Sequence, residues 1–163
     1  MGVAVSKAGV KHPVKAIQAD ARALLKLLGL PKAELSIVLC DDLFIQGLNL
    51  QWRQKDEPTD VLSFAMGEGD DADLNPELLG DIVISVETAA RQGQGLGLTV
   101  EQELRVLLVH GLLHLLGFDH VDPADAPEMR AKEAELLAAL GGGTGLVDRA
   151  SAHGEVVDAP DMG

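Results

Sequence analysis

The sequence predicts a layered α/β or α+β fold built on one small sheet. Three observations lead there. Four short apolar runs read as strands, amphipathic helices are interspersed among them, and 163 residues with 47% hydrophobic content suffice for one sizeable core. Aromatics are scarce, with one Trp, three Phe and no Tyr, so that core is assembled mainly from Leu, Val, Ile and Ala. Strand order and the parallel or antiparallel sense of each pair stay open at this level.

Val3 to Val5 reads as a short first strand. Over Pro13 to Leu28, the residues Val14, Ile17, Ala21, Leu24, Leu25 and Leu28 recur at helical spacing with polar residues between them. Pro13 suits the first turn, Gly29 a left-handed stop, and Pro31 prevents resumption. Glu34 to Cys40 is nearly continuous in apolar residues, as in a central strand covered on both faces. Asp41-Asp42 then caps a helix running to about Trp52, with Leu43, Phe44, Gly47, Leu48 and Leu50 as its expected inward set.

Arg53 to Asp60 reads as a polar loop, in which Arg53 and Lys55 are the candidates for holding phosphate. Val61-Leu62-Ser63-Phe64 is strand-like, and the acidic, glycine-containing stretch from Gly67 to Asn75 is expected to be an exposed connection. Leu78 to Ser85 alternates as a strand around Asp81, a carboxylate that there needs pairing, an edge or solvent. Ser85 caps a helix from Val86 to about Gln92, and the glycines beyond it match no phosphate-loop pattern. Thr99 and Gln102 form a capping box for a helix whose buried face is Leu104, Leu107, Leu108, Gly111, Leu112 and Leu115. Pro127 opens a last helix with Met129, Ala134, Leu136, Leu137 and Leu140 inward and Glu128, Glu133 and Glu135 solvated. Gly141-Gly142-Gly143 marks a domain end, giving a domain over residues 1–140 and a flexible Gly/Ala-rich tail over 141–163.

The chemistry concentrates at the end of the Thr99 helix. His110 and His114 stand four residues apart, hence on one face about a turn apart. Gly117 offers a helix stop, and a turn there brings His120 back over the helix end. Three converging imidazoles with an open fourth position suit a catalytic zinc, with nickel or another transition metal as an alternative for the same ligands. Leu113, not glutamate, precedes His114, so the short peptidase motif is incomplete. Asp119 and Asp122 are candidates for orienting the imidazoles.

Charge and cysteine use bound the rest. The formal net charge is −13, which excludes broad nucleic-acid binding through a basic surface. Residues 1–60 nevertheless carry a net +1 against −14 for residues 61–163, so a local electropositive patch has to come from the first third. Cys40 is the single cysteine, which fits a reducing compartment and a buried, inert thiol. No secretory leader and no membrane-spanning run is visible, so cytoplasmic residence without membrane attachment is the expectation.

The run His110-Gly111-Leu112-Leu113-His114-Leu115-Leu116-Gly117-Phe118-Asp119-His120 resembles the signature of the YbeY family, bacterial endoribonucleases of ribosomal RNA maturation. Arg53 to Phe64 and Leu79 to Ser85 resemble two further blocks of that family, in the same order. The resemblance spans roughly Val3 to Leu140. It implies an α+β single domain with a small, mostly parallel four-stranded sheet, several helices and a zinc-peptidase-like architecture. It also implies a zinc-dependent, single-strand-specific endoribonuclease acting in ribosomal RNA maturation and small-subunit quality control. Its partners would be single-stranded RNA, ribosomal RNA precursors, and the small subunit or its assembly factors.

Residue by residue, the resemblance carries metal ligation to His110, His114 and His120 and the functional arginine to Arg53. In the expected mechanism His114 and Arg53 are catalytic, Lys55 assists in binding substrate, and Asp81 and Asp119 support the site from behind. Rival readings are a metallopeptidase and a non-catalytic, zinc-stabilised ribosome-assembly factor.

Overall fold

The computed structural model of the chain describes residues 2–65, 78–117 and 126–140. Within them the order is β1 (Val3–Ala8), α1 (Lys15–Leu27), β2 (Glu34–Cys40), α2 (Asp42–Arg53), β3 (Val61–Ala65), β4 (Leu78–Ser85), α3 (Val86–Gly95), α4 (Val100–Leu115) and α5 (Ala126–Ala139). The strands form one sheet in the order β1-β2-β4-β3. β1 and β4 each pair with β2 in parallel, whereas β3 runs antiparallel to β4 at the edge. The architecture is therefore α+β with a mixed sheet, parallel in two of its three pairings. Nothing among the described residues marks it as specifically zinc-peptidase-like, which corrects that finer expectation.

Local chemistry sets the element ends. The Asp41 carboxylate accepts the Phe44 N–H at 2.9 Å, and the Ser85 hydroxyl accepts that of Thr88 at 3.2 Å. Thr99 and Gln102 complete the reciprocal capping box. Each such cap stabilises its helix by about 1 kcal/mol. Gly29 and Gly117 follow α1 and α4 at φ 75° and 98°, a region that a Cβ disfavours.

Pleating divides the core. Leu35, Ile37, Leu39, Val61, Ile82 and Ile84 face α1 and α4, and belong to a cluster that also holds Met129, Leu136 and Leu137 of α5. Leu62, Phe64, Val83 and Cys40 face the other way and pack with Ile45, Leu48 and Trp52 of α2. This corrects the expected inward face of α2. Leu43 is 78% exposed, with Phe44 and Leu50 also exposed, while Ile45, Leu48, Asn49 and Trp52 turn inward. The helix carries two apolar stripes, and the sheet selects the one ending in Trp52, whose ring meets Phe64 edge to face at 6.2 Å.

Glu133 is also corrected, being fully buried instead of solvated. Its spacing from Met129, Leu136 and Leu137 is i, i+4, i+7 and i+8, which puts all four on one helical face. The connection expected from Gly67 to Asn75 and the expected tail over 141–163 lie outside the described residues.

Polar contacts tie the layers together. Asp42 accepts hydroxyl hydrogen bonds from Ser85 and Thr88, each at 2.6 Å, and pairs with Arg91 at 2.8 Å, joining the starts of α2 and α3. Burial raises the pKa of this carboxyl, but the bonds from Ser85, Thr88 and Arg91 outweigh burial and hold it below its ordinary value. Cys40 is buried, its Sγ 3.5 Å from the Ile84 carbonyl, and burial beside Asp41 and Asp42 pushes the thiol up to about 12.

Arg105 of α4 grips Asp20 of α1 at 3.1 Å and donates to the Leu140 carbonyl beyond α5 at 3.0 Å. Arg105→Ala is expected to lower unfolding stability by about 1–2 kcal/mol, because three helices lose one shared donor. Urea denaturation with an unchanged m-value would show it; an unaltered midpoint would remove Arg105 as a clamp.

Candidate functional site

The expected helix turn is present. α4 is covered on most sides, with Val106, Leu107, Leu108, Val109, Leu112 and Leu113 all buried. His110 is fully buried among them, and His114, one turn on, is half-buried. Their Nε2 atoms lie 3.1 Å apart, with ring centroids 4.5 Å apart and planes at 69°. A nitrogen-to-nitrogen distance of that length is a hydrogen bond, so one ring presents N–H and the other its lone pair.

The helix is set down on the sheet at Gly111. A Cβ there would stand 3.0 Å from both Ile82 Cγ2 and Ser63 Oγ. The Ser63 hydroxyl, 2% exposed, donates to the Gly111 carbonyl at 3.1 Å. Ser63 escaped the sequence reading. Its only signal was a hydroxyl at an inward position of an otherwise apolar strand, opposite Ile82 in register.

Arg53 belongs to the last turn of α2 and not to the following loop. It is half-buried, and its Nη1 donates to Asn49 Oδ1 at 3.3 Å. Asn49, 1% exposed, also donates to the Glu57 carbonyl at 2.8 Å, so it fixes both the arginine and the loop that follows. The i, i+4 spacing of Asn49 and Arg53 was the available sign of this pairing. Lys55 is exposed just beyond Gln54, whose φ of 61° ends the helix in the left-handed region.

Asp81 goes elsewhere. It lies opposite Ser36 and Phe64 in the sheet, so alternation points its side chain away from Ser63, Ile82 and α4. Burial raises its pKa, and a hydrogen bond from Ser36 offsets this in part. The structure thus brings His110 and His114 together, stations Arg53 and Lys55 at the end of α2, which packs on the sheet face opposite α4, and turns the Asp81 side chain to that same opposite face. His120, Asp119 and Asp122 lie outside the described residues.

The expected zinc centre requires correction. Among the described residues, no group of three or more His, Cys, Asp or Glu side chains is placed to hold a metal ion. The described part of the expected triad supplies two imidazoles, one ligand short of the three that a catalytic zinc takes. A zinc or nickel cofactor does not follow from this donor set. No described helix is long and apolar enough to cross a membrane.

A mixed four-stranded sheet with a buried two-histidine helix over its antiparallel edge defines an α+β protein with a polar site set in an apolar layer. The fold is similar to the solution structure of a Thermotoga maritima protein, with a TM-score of 0.59 and 25% identity, covering 85% of this chain and 92% of that one. At the level of sequence, residues 4–141 match the family described as Endoribonuclease YbeY, and the chain belongs to that family. It is 45% identical to the Endoribonuclease YbeY of Geobacter sulfurreducens over 151 residues, 90% of this chain and all of that one. Its identity to the Syntrophotalea carbinolica protein of the same name is 47%, over 80% of this chain and 88% of the relative.

Asp81 gives a test of the two-sided arrangement. A carboxyl with a raised folded-state pKa weakens the fold above that value and has no such effect below the ordinary carboxylate range, where it is protonated in both states. Asp81→Asn is therefore expected to gain stability over wild type at pH 7 and to lose that gain by about pH 3. RNA cleavage should be unchanged. Urea melts at both pH values check the first part; an advantage that persists at low pH would make it an effect of packing.

Proposed function

We propose that this chain is a single-strand-specific endoribonuclease of ribosomal RNA maturation and small-subunit quality control, working in the cytoplasm through a domain at residues 1–140. The observation that carries the reading is the hydrogen-bonded imidazole pair of α4 within a chain that matches the endoribonuclease family from residue 4 to 141. Substrate and partners on this reading are single-stranded RNA, ribosomal RNA precursors, and the small subunit or its assembly factors.

Phosphodiester cleavage needs a proton taken from the nucleophile, a proton given to the leaving oxygen, and charge balanced on the phosphoryl oxygens. His114 is the more accessible imidazole and exchanges the proton with substrate. His110, buried behind it, holds that ring by the bond between the two Nε2 atoms, the usual relation of a base to its orienting group. Arg53 presents a planar fork to the scissile phosphate, pre-set by Asn49, and the exposed Lys55 adds a second positive charge. Strand β3 joins the two halves, since Phe64 packs against Trp52, the neighbour of Arg53, while Ser63 faces α4.

Purified protein is expected to cut a single-stranded ribosomal RNA fragment and to spare its duplex. Arg53→Ala should lower kcat/KM about 100-fold, and His114→Ala about 100-fold or more, with wild-type circular dichroism and melting. End-group analysis reads the nucleophile. A 2′,3′-cyclic phosphate marks attack by the RNA 2′-hydroxyl, and a 3′-hydroxyl with a 5′-phosphate marks attack by water. Full activity in a folded Arg53→Ala protein would overturn the assigned roles, and a wild type inert on every single-stranded RNA would overturn the reading itself.

A further inference from the structure

We infer that Ser63 is a positioning residue for the imidazole pair, setting through the Gly111 carbonyl where His110 and His114 stand relative to strand β3. The inference rests on the nuclease reading above and adds to it the device that fixes its geometry.

Three observations carry it. Ser63 is 2% exposed and its hydroxyl spends its proton on one acceptor, the Gly111 carbonyl, at 3.1 Å. That carbonyl lies between the two histidines in sequence, within the same turn of α4. It is one that an α-helix already uses for the N–H four residues on, so the serine takes a second lone pair and acts on the placement of the helix. Gly111 has no side chain to hold it off. A Cβ would sit 3.0 Å from the same Oγ and 3.0 Å from Ile82, so helix and strand are in contact at this point.

The neighbouring strand residue makes this more than a buried serine finding an acceptor. Phe64 faces the opposite side of the sheet and meets Trp52, which adjoins Arg53. Successive residues of one short edge strand therefore fix the α2 end and the α4 turn. On the proposed reading, a shift of the imidazoles costs rate and not affinity, because substrate still binds but the reacting groups are misaligned. Ser63→Ala leaves no orphaned backbone group, since the carbonyl keeps its helical partner; the expected loss is of placement.

The test is Ser63→Ala in the full chain, followed by steady-state cleavage of a single-stranded RNA and by imidazole nitrogen chemical shifts. The expected result is a fall in kcat of about 10-fold to 100-fold with KM held within about 2-fold. The His110 and His114 signals should move while that of His12, beside Glu101 at the opposite end of α4, stays fixed. Unchanged imidazole shifts with unchanged kcat would overturn the inference. So would a loss of activity that follows the fraction unfolded, which would make Ser63 structural only.

If wild type cuts no RNA but the shifts still move, the nuclease reading falls and the positioning role stands. Should Ser63→Ala not fold, Gly111→Ala perturbs the same contact from the helix side. It must displace the same two signals, and failure to do so in a folded protein overturns the inference equally.

Discussion

The approach of α4 to the sheet at Gly111 is the constraint on which the rest of the structure depends. Glycine inside a helix costs about 1 kcal/mol relative to alanine, and here that cost is offset by contact with Ile82 and Ser63 that a methyl group would prevent. Once α4 lies that close, its remaining surface must be covered as well. α1, α3 and α5 supply that cover, so the helix is buried nearly all round and not along one stripe. The consequence is a histidine with no solvent exposure next to one with some, their Nε2 atoms joined by a hydrogen bond.

Most of the element order was legible in the sequence because its punctuation is local. Asp41, Ser85 and the Thr99–Gln102 pair cap helices by contacts within three residues, and Gly29 and Gly117 stop them by backbone conformation alone. What could not be read depends on partners distant in the chain. The inward face of α2 is decided by Phe64 and Leu62, not by its own periodicity, which fits two stripes. The sense of β3 is likewise fixed by its pairing with β4. Within the site, the i, i+4 histidines were visible as a pair. Ser63 was not, since a lone buried hydroxyl has no sequence pattern, and Asn49 carried only its i, i+4 spacing from Arg53. The zinc expectation added His120 as a third ligand, returned over the helix end by a turn at Gly117, and the described donors do not supply three.

Charge explains how an acidic chain can belong to a ribonuclease family. A net charge of −13 repels RNA at long range, so attraction must be local and short. Arg53 and Lys55 fall in the one third of the chain whose balance is positive. On the proposed reading, the bond from Arg53 to Asn49 holds the arginine before substrate arrives and reduces the side-chain entropy lost on binding. An arrangement of that kind favours selectivity over indiscriminate capture.

The buried thiol has a consequence for redox chemistry. Nucleophilic and oxidative reactions of cysteine proceed through the thiolate, and Cys40, with its pKa raised to about 12 and no exposed surface, has almost none at neutral pH. Burial in the folded protein therefore shields this sulfur from reagents in solvent. Any alkylation of that atom reports a moment when the β2 end of the sheet has come apart, so one residue serves as a built-in clock for breathing of the molecule.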